Sequence, residues 1–215
     1  MPWPTTDPDA PHAPTHPARL VLASGSPRRR HLLSQAGLSF EVVPADIPEE
    51  ARPGEAPTAM AERLAQEKAL AVVARLPSGP IRPVLAADTI VVIGDEVLGK
   101  PDDAAHAVVL LSKLVGRSHV VITGVALAHG DEATPGELSS FWVASTVRMR
   151  TAERSEIERY VAGGEPMDKA GAYAIQGEGR KFVIEVEGSE TNVIGLPMEE
   201  TLALLSRAGL PGAKA

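Results

Sequence analysis

The sequence predicts the α/β class, with a mixed, twisted sheet and flanking helices. Two observations carry this. Short apolar runs rich in β-branched residues alternate along the chain with segments of helical character. A run of adjacent strand-like segments then interrupts the alternation, which argues for a mixed sheet. The chain has 215 residues, of which 44% are hydrophobic. At that length roughly 70% of the unfolded surface can be buried.

The elements follow in order. Residues 19–24 (RLVLAS) read as a buried strand. Pro27–Ala36 reads as a helix, with Ser26 as its N-cap, Pro27 at the first position and Gly37 just beyond its end. Phe40–Pro44 is a second short strand, and Ala45–Pro57 a loop rich in acid and proline. Thr58–Leu76 is a long helix, broken by Pro77–Pro83. Val84–Ile93 is strongly apolar and reads as a strand, and Gly94–Gly99 as a turn or short hairpin. Asp102–Val115 is the next helix. Ser118–Ala128 and Leu138–Arg150 read as a long strand pair, joined by a loop holding Gly130, Pro135 and Gly136. Ala152–Ala162 is a helix, Ala172–Gln176 and Phe182–Val186 are short strands, and Pro197–Ala208 is a closing helix.

Composition narrows the function. The formal net charge is −7, whereas a nucleic-acid polymer calls for a basic footprint. There are no cysteines, so disulfides and thiolate zinc sites are excluded. No apolar run reaches the ~18 residues of a membrane span, and a cytoplasmic protein is the simplest reading. Aromatics are only 3%, so Ala, Val and Leu must fill the core. Residues 1–17 hold six prolines and neither the basic start nor the apolar centre of a secretory signal. They read as a disordered leader, with His12 and His16 as solvated residues rather than metal ligands. Residues 18–211 read as one domain and 212–215 as a tail.

The most informative stretch is Ala23-Ser-Gly-Ser-Pro-Arg-Arg-Arg30. A strand ends, a glycine turn follows, and three arginines crowd the first turn of a helix. Cations there oppose the helix dipole by about 0.3–1 kcal/mol each. A bound phosphate, contacted by Ser24, Ser26 and free N–H groups and clamped by arginine, resolves the conflict. Gly94–Lys100 fits G-x-x-x-x-G-K, but Pro101 stands where a P-loop needs Ser or Thr on its metal. The P-loop is rejected, and Lys100 is left as either a phosphate-binding cation or a surface lysine.

Asp88 interrupts an apolar strand. A carboxylate in such a place must be hydrogen-bonded, paired or metal-bound, and desolvation there favours proton uptake, as a general base needs. It could equally cap neighbouring amides at a strand end. Lys68 lies four residues after Leu64 and four before Val72, on an apolar helix face from which lysines often snorkel. Glu49, in an acidic loop, reads by itself as solvated. Gln176 beside Gly177 suits either a turn or a base edge read at close backbone approach.

Together these blocks resemble the Maf family of nucleoside triphosphate pyrophosphatases. The likeness runs from Leu20 to Ala208, through residues 22–30 (LASGSPRRR), 87–91 (ADTIV), 98–101 (LGKP), 116–125 (GRSHVVITGV), 165–177 (EPMDKAGAYAIQG) and 192–197 (NVIGLP). The resemblance implies two lobes around a central cleft. It implies cleavage of a nucleoside triphosphate between its α and β phosphates, with a divalent cation, Mg²⁺ or Mn²⁺. Asp88 falls on the family's proton acceptor, and Arg28, Thr89 and Gln176 on its substrate-selecting positions. Ser24, Arg29, Glu49, Lys68 and Lys100 match its other polar cleft residues, Glu49 and Asp88 being the implied metal ligands. Pro48 departs from the acidic residue often found beside the Glu49 position.

The AGAYAIQG block looks like the branch acting on dTTP, UTP and modified pyrimidine nucleotides. Two rival readings stand beside it: a house-cleaning pyrophosphatase for ITP or XTP, and a non-catalytic nucleotide-binding regulator of cell division. The expected partner is the nucleotide, with no nucleic-acid polymer and no membrane, and a homodimer is left open.

Overall fold

A computed structural model describes residues 20–77, 82–129 and 136–210. The leader expected over 1–17 and the tail over 212–215 lie outside the described residues, as do parts of the loops at 77–83 and 129–136.

Among the described residues seven strands form one sheet: β1 (Leu20–Leu22), β2 (Phe40–Val42), β3 (Val84–Ile93), β4 (Glu96–Leu98), β5 (Ser118–His129), β6 (Glu137–Met149) and β7 (Val183–Glu187). Their order is β2-β1-β3-β5-β6-β7, with β4 on β3. The β1 contacts with β2 and β3 are parallel and the remaining pairings antiparallel, so the sheet is mixed. The helices are α1 (Pro27–Gln35), α2 (Pro57–Val73), α3 (Ala104–Leu114), α4 (Arg154–Ala162), α5 (Glu190–Ile194) and α6 (Met198–Arg207). Among the described residues no helix is long and apolar enough to cross a membrane.

One apolar cluster joins β1, α1 and α6 through Leu22, Leu33, Leu196 and Leu205. A second lies where α2 meets the sheet and is built from small side chains, among them Ala65, Ala69, Ala86 and Ala126. A third gathers α3, α4 and the far end of the sheet around Leu111, Ile157, Tyr160 and Phe182. The buried aromatics Tyr160, Tyr173 and Phe182 lie in this last cluster, while Phe40 and Phe141 pack, partly buried, against the first.

The sheet is broken along one edge of β3. β1 pairs with β3 only at Val84 and Leu85, and β4 occupies the same edge from Val91 to Ile93. Between them residues 86–90 of β3 carry no strand partner on that side among the described residues, although β5 pairs with them continuously on the other. Asp88 and Thr89 sit in this gap, and strand alternation sends their side chains to opposite faces.

One sequence expectation is corrected, and one element is added. Ala172–Gln176 is not a strand: a 3-10 turn spans Ala170–Ala172 and another Glu178–Phe182, with an irregular turn between. Gly171 at φ 69 and Ala172 at φ 58 take a left-handed backbone that no strand accommodates. Glu190–Ile194, unassigned from the sequence, is the short helix α5, capped by Ser189, whose side chain accepts from the Asn192 N–H.

Candidate active site

The gap in the sheet opens into a cleft of about 510 Å³, a size suited to a small molecule. Ser24, Arg28, Arg29, Glu49, Lys68, Asp88, Thr89, Lys100 and Gln176 all line it. Residues spread over 150 positions of sequence thus meet in one place. Arg30, the third arginine of the run, is exposed and is not part of the lining.

The first wall is the turn from β1 into α1. Ser26 caps α1 by accepting from the Arg29 N–H at 3.5 Å. The arginines then diverge. Arg29 turns inward and donates to the Gly195 carbonyl (2.7 Å), Ser24 Oγ (3.0 Å) and Thr89 Oγ1 (3.0 Å). Burial, joined by repulsion from Arg28, pulls the Arg29 pKa down, against the opposing pull of Asp88 and Glu49. Arg28 reaches across the cleft to Asp168 at 3.3 Å, joining the two lips.

Thr89 extends the Arg29 network. Thr123 donates to the Asn192 carbonyl at 3.0 Å. Its single proton is thereby committed, so the 3.0 Å contact between Thr89 and Thr123 has Thr89 as the donor. A chain of hydrogen bonds therefore runs from Arg29 through two threonines to the backbone of α5. This explains the NVIGLP block physically: it supplies the carbonyls of Asn192 and Gly195 that fix the arginine.

The second wall is α2. Lys68 is buried with its ammonium 2.5 Å from Asp88 Oδ1 and 2.5 Å from Glu49 Oε1. Lys100 approaches the other Glu49 oxygen at 3.2 Å. Desolvation raises the Glu49 pKa, but the bonds and charges of Lys68 and Lys100 overrule it, and the carboxyl is held below its usual range. Read alone, Glu49 was a solvated acid and Lys68 a snorkelling base; the fold makes them neighbours.

Gly124 sets the depth of this wall. It lies opposite Asp88 in the β3–β5 register. A Cβ there would come within 2.2 Å of the Ala61 carbonyl on α2. Helix and sheet come that close with the small side chains of Ala61, Ala65 and Ala69 on the buried face of α2, the face that also carries Lys68.

The far lip comes from the segment after α4. Lys169 bonds the Glu165 carbonyl and the Asp168 carboxylate. Desolvation raises the Asp168 pKa, yet Lys169 and Arg28 keep the carboxyl below its ordinary value. Gln176 is exposed beside this lip. Sequence reasoning had not placed Asp168, Lys169, Thr123, Asn192 or Gly195 in the site. The signal for the first two lies in the segment 165–177; for the others it is only their place in the segments 116–125 and 192–197. Five cations (Arg28, Arg29, Lys68, Lys100, Lys169) and three carboxylates (Glu49, Asp88, Asp168) face a cleft in a chain of net charge −7. Local charge here opposes the global one.

Glu49 and Asp88 offer oxygen donors suited to a hard divalent cation. Among the described residues no cluster of three or more metal-ligating side chains occurs. Lys68 and Lys100 hold both Glu49 oxygens and Lys68 holds Asp88 Oδ1, so the pair suits an ion that draws most of its shell from water and phosphate, as magnesium usually does.

The fold and the cleft together define a class: an α/β protein with a cation-lined small-molecule cleft at a break in a mixed sheet. The chain belongs to the Maf family, whose model, described as Maf-like protein, matches residues 19–208. A dTTP/UTP pyrophosphatase of Anaeromyxobacter dehalogenans is 53% identical over 193 residues, covering 90% of this chain and 95% of that protein. A protein of the same description from Myxococcus xanthus is 53% identical over 192 residues, covering 89% and 93%. Another, from Salmonella typhimurium, is 50% identical over 187 residues, covering 87% and 91%. A solved nucleoside-triphosphatase / dITP/XTP pyrophosphatase from Mycobacterium abscessus aligns with 91% of this chain at 19% identity and a TM-score of 0.40, too loose a likeness to bear on substrate.

Proposed function

We propose that this protein is a nucleoside triphosphate pyrophosphatase that hydrolyses dTTP and UTP, and modified pyrimidine nucleotides of the same shape, to the monophosphate and pyrophosphate. The observation that carries the reading is the convergence of Lys68 on both Asp88 and Glu49 within a cleft also lined by Arg28, Arg29 and Lys100. The dTTP/UTP pyrophosphatase description of relatives at 50–53% identity supports the same substrate class.

Asp88 accepts a proton from a water attacking the α-phosphorus. A bond forms from the water oxygen to that phosphorus, and the bond from phosphorus to the α–β bridging oxygen breaks. Pyrophosphate leaves with the bonding pair. Arg28, Lys68 and Lys100 offset the charge that gathers on the departing oxygens, while Arg29, fixed by its three acceptors, orients the chain of phosphates. Such displacement is largely positioning and electrostatics, and no protein nucleophile is needed. Glu49 and Asp88 would hold the divalent cation, Mg²⁺ or Mn²⁺, which supplies further neutralisation of phosphate charge. Gln176, able to donate and accept at once, pairs with the uracil or thymine edge.

The test is turnover of a nucleotide panel with Mg²⁺ or Mn²⁺, scored for pyrophosphate against orthophosphate. Preference for dTTP and UTP with pyrophosphate release is expected. Preference for ITP or XTP overturns the pyrimidine assignment, and binding without turnover favours the regulatory reading. Gln176→Glu is expected to weaken pyrimidine use selectively; a uniform loss over all nucleotides argues against base reading.

A further inference from the structure

Gln176 is carried by a turn between two 3-10 segments, with no strand ladder to hold it. Its backbone is fixed instead by two side chains outside the cleft lining, Tyr160 and Glu165. On one side of Gln176 the Ala174 N–H donates to the Tyr160 hydroxyl at 3.2 Å. On the other, the Glu178 N–H donates to Glu165 Oε2 at 2.9 Å and the Gly179 N–H to Glu165 Oε1 at 3.1 Å. The Tyr160 hydroxyl donates to Glu165 Oε1 at 2.9 Å and closes the ring.

Two glycines make room for this arrangement. A Cβ on Gly177 would lie 2.2 Å from Glu165 Oε2, and one on Gly179 would lie 2.8 Å from the Tyr160 hydroxyl. Tyr160 is itself rigid, being 3% exposed on α4 and packed edge-on against Phe182 at 5.4 Å between ring centres. The protonation states agree with the roles. Burial, then the hydrogen bond to Glu165 and its charge, raise the Tyr160 pKa, so the hydroxyl keeps its proton. Glu165 is pushed up by desolvation but drawn lower overall by the Glu178 and Gly179 amides, Tyr160 and Lys169, so it remains an acceptor.

We propose that Tyr160 and Glu165 are positioning residues that set base selectivity by clamping the Ala174–Gly179 turn, and with it Gln176, against the cleft. The proposal rests on the reading of Gln176 as the group that pairs with the pyrimidine. Tyr160→Phe removes one hydroxyl at constant volume. Glu165→Gln replaces an acceptor oxygen with an NH₂ group that faces a backbone N–H. Either change loosens the turn without removing a hydrogen-bond partner of Arg28, Arg29, Lys68 or Lys100.

The experiment measures kcat/KM for UTP and dTTP against CTP and GTP in the full-length protein with Mg²⁺, alongside the inhibition constant of pyrophosphate, for Tyr160→Phe, Glu165→Gln, Gln176→Ala and the Glu165→Gln/Gln176→Ala double variant. Each of the first two is expected to lower discrimination for UTP over CTP by about tenfold and to leave pyrophosphate inhibition within about twofold. The double variant is expected to discriminate no worse than Gln176→Ala alone, because residues acting through one group are not additive. Equal losses on all nucleotides together with weaker pyrophosphate inhibition would mark a merely structural role and overturn the proposal. So would full additivity in the double variant. If Gln176→Ala loses discrimination while both clamp variants keep it, the clamp fails and the base reading stands. If Gln176→Ala keeps discrimination, the base reading fails and takes the clamp with it. Should Glu165→Gln not fold, Tyr160→Phe decides alone.

Discussion

The Lys68 ammonium lies 2.5 Å from Asp88 Oδ1, with both side chains less than a tenth exposed. Ion pairs so sheltered lose about 3–5 kcal/mol when one member is removed and the other is left unpaired. Glu49 changes that outcome on one side only. Lys68 keeps Glu49 if Asp88 is neutralised, whereas Asp88 and Glu49 both lose their shared cation if Lys68 is removed. The asymmetry permits a clean test of Asp88 with the fold intact.

Asp88→Asn keeps the shape of the side chain and an oxygen for Lys68, but not the basicity. The turnover number for UTP should fall by about 10³-fold or more, within the range that general bases contribute. Calorimetric binding of the triphosphate should persist. Full turnover in the variant would remove Asp88 as the proton acceptor.

Arg29→Lys separates charge from geometry. The guanidinium satisfies Gly195, Ser24 and Thr89 together, and an ammonium cannot copy that fork. The value of kcat/KM for dTTP should drop by about tenfold or more, equivalent to roughly 1.4 kcal/mol. Steady-state kinetics decide it, and an unchanged value would show that charge alone is used there.

Gly124→Ala should separate α2 from the sheet. The new methyl would sit 2.2 Å from the Ala61 carbonyl, and backbone on both sides leaves little to yield. A cost of about 1–3 kcal/mol is expected from overpacking of this kind. Activity should fall with it, since Lys68 rides on the displaced helix. Gly99→Ala is the control: its Cβ meets nothing within 4 Å, and its stability should stay within about 0.5 kcal/mol. Equal melting temperatures for the two variants would refute the close-approach argument.

His119 gives the protein an acid sensitivity. It is 2% exposed, bonded through Nε2 to the Tyr173 hydroxyl at 2.8 Å, and its Nδ1 has no hydrogen-bond partner among the described residues. Desolvation lowers its pKa from 6.5 to about 4. The unfolded chain therefore takes up this proton near pH 6.5 and the folded chain only near pH 4. Stability is lost as the pH falls through that window, by about 3 kcal/mol in all, and no further below it. His119→Gln should lose less stability than the parent between pH 7 and pH 4.5 in urea titrations. Parallel losses in the two proteins would assign the acid sensitivity elsewhere.

The long elements were legible because each carries its own period. Val84–Ile93 was bounded to the residue, and α1 to within one, since Ser26, Pro27 and Gly37 punctuate it. Ala172–Gln176 was misread because its apolar pattern suits a strand. What overrides the pattern lies outside the segment: the Tyr160 hydroxyl accepts the Ala174 amide that a ladder would otherwise use, and Glu165 accepts the Glu178 and Gly179 amides just beyond it. The five-residue α5 is too short to show a helical period, and only its Ser189 cap betrays it.

Sequence by itself determined the class of fold, the family blocks and the identity of the charged side chains available for chemistry. It could not say that Glu49, Lys68 and Lys100 are neighbours, because contact between residues 49, 68 and 100 is a property of how α2 docks on β3. That docking depends on a glycine and a stripe of alanines whose role appears only when the two surfaces meet. Local propensity is written in neighbouring residues, whereas the depth of a cleft and the partner of a buried charge are decided by packing between distant ones.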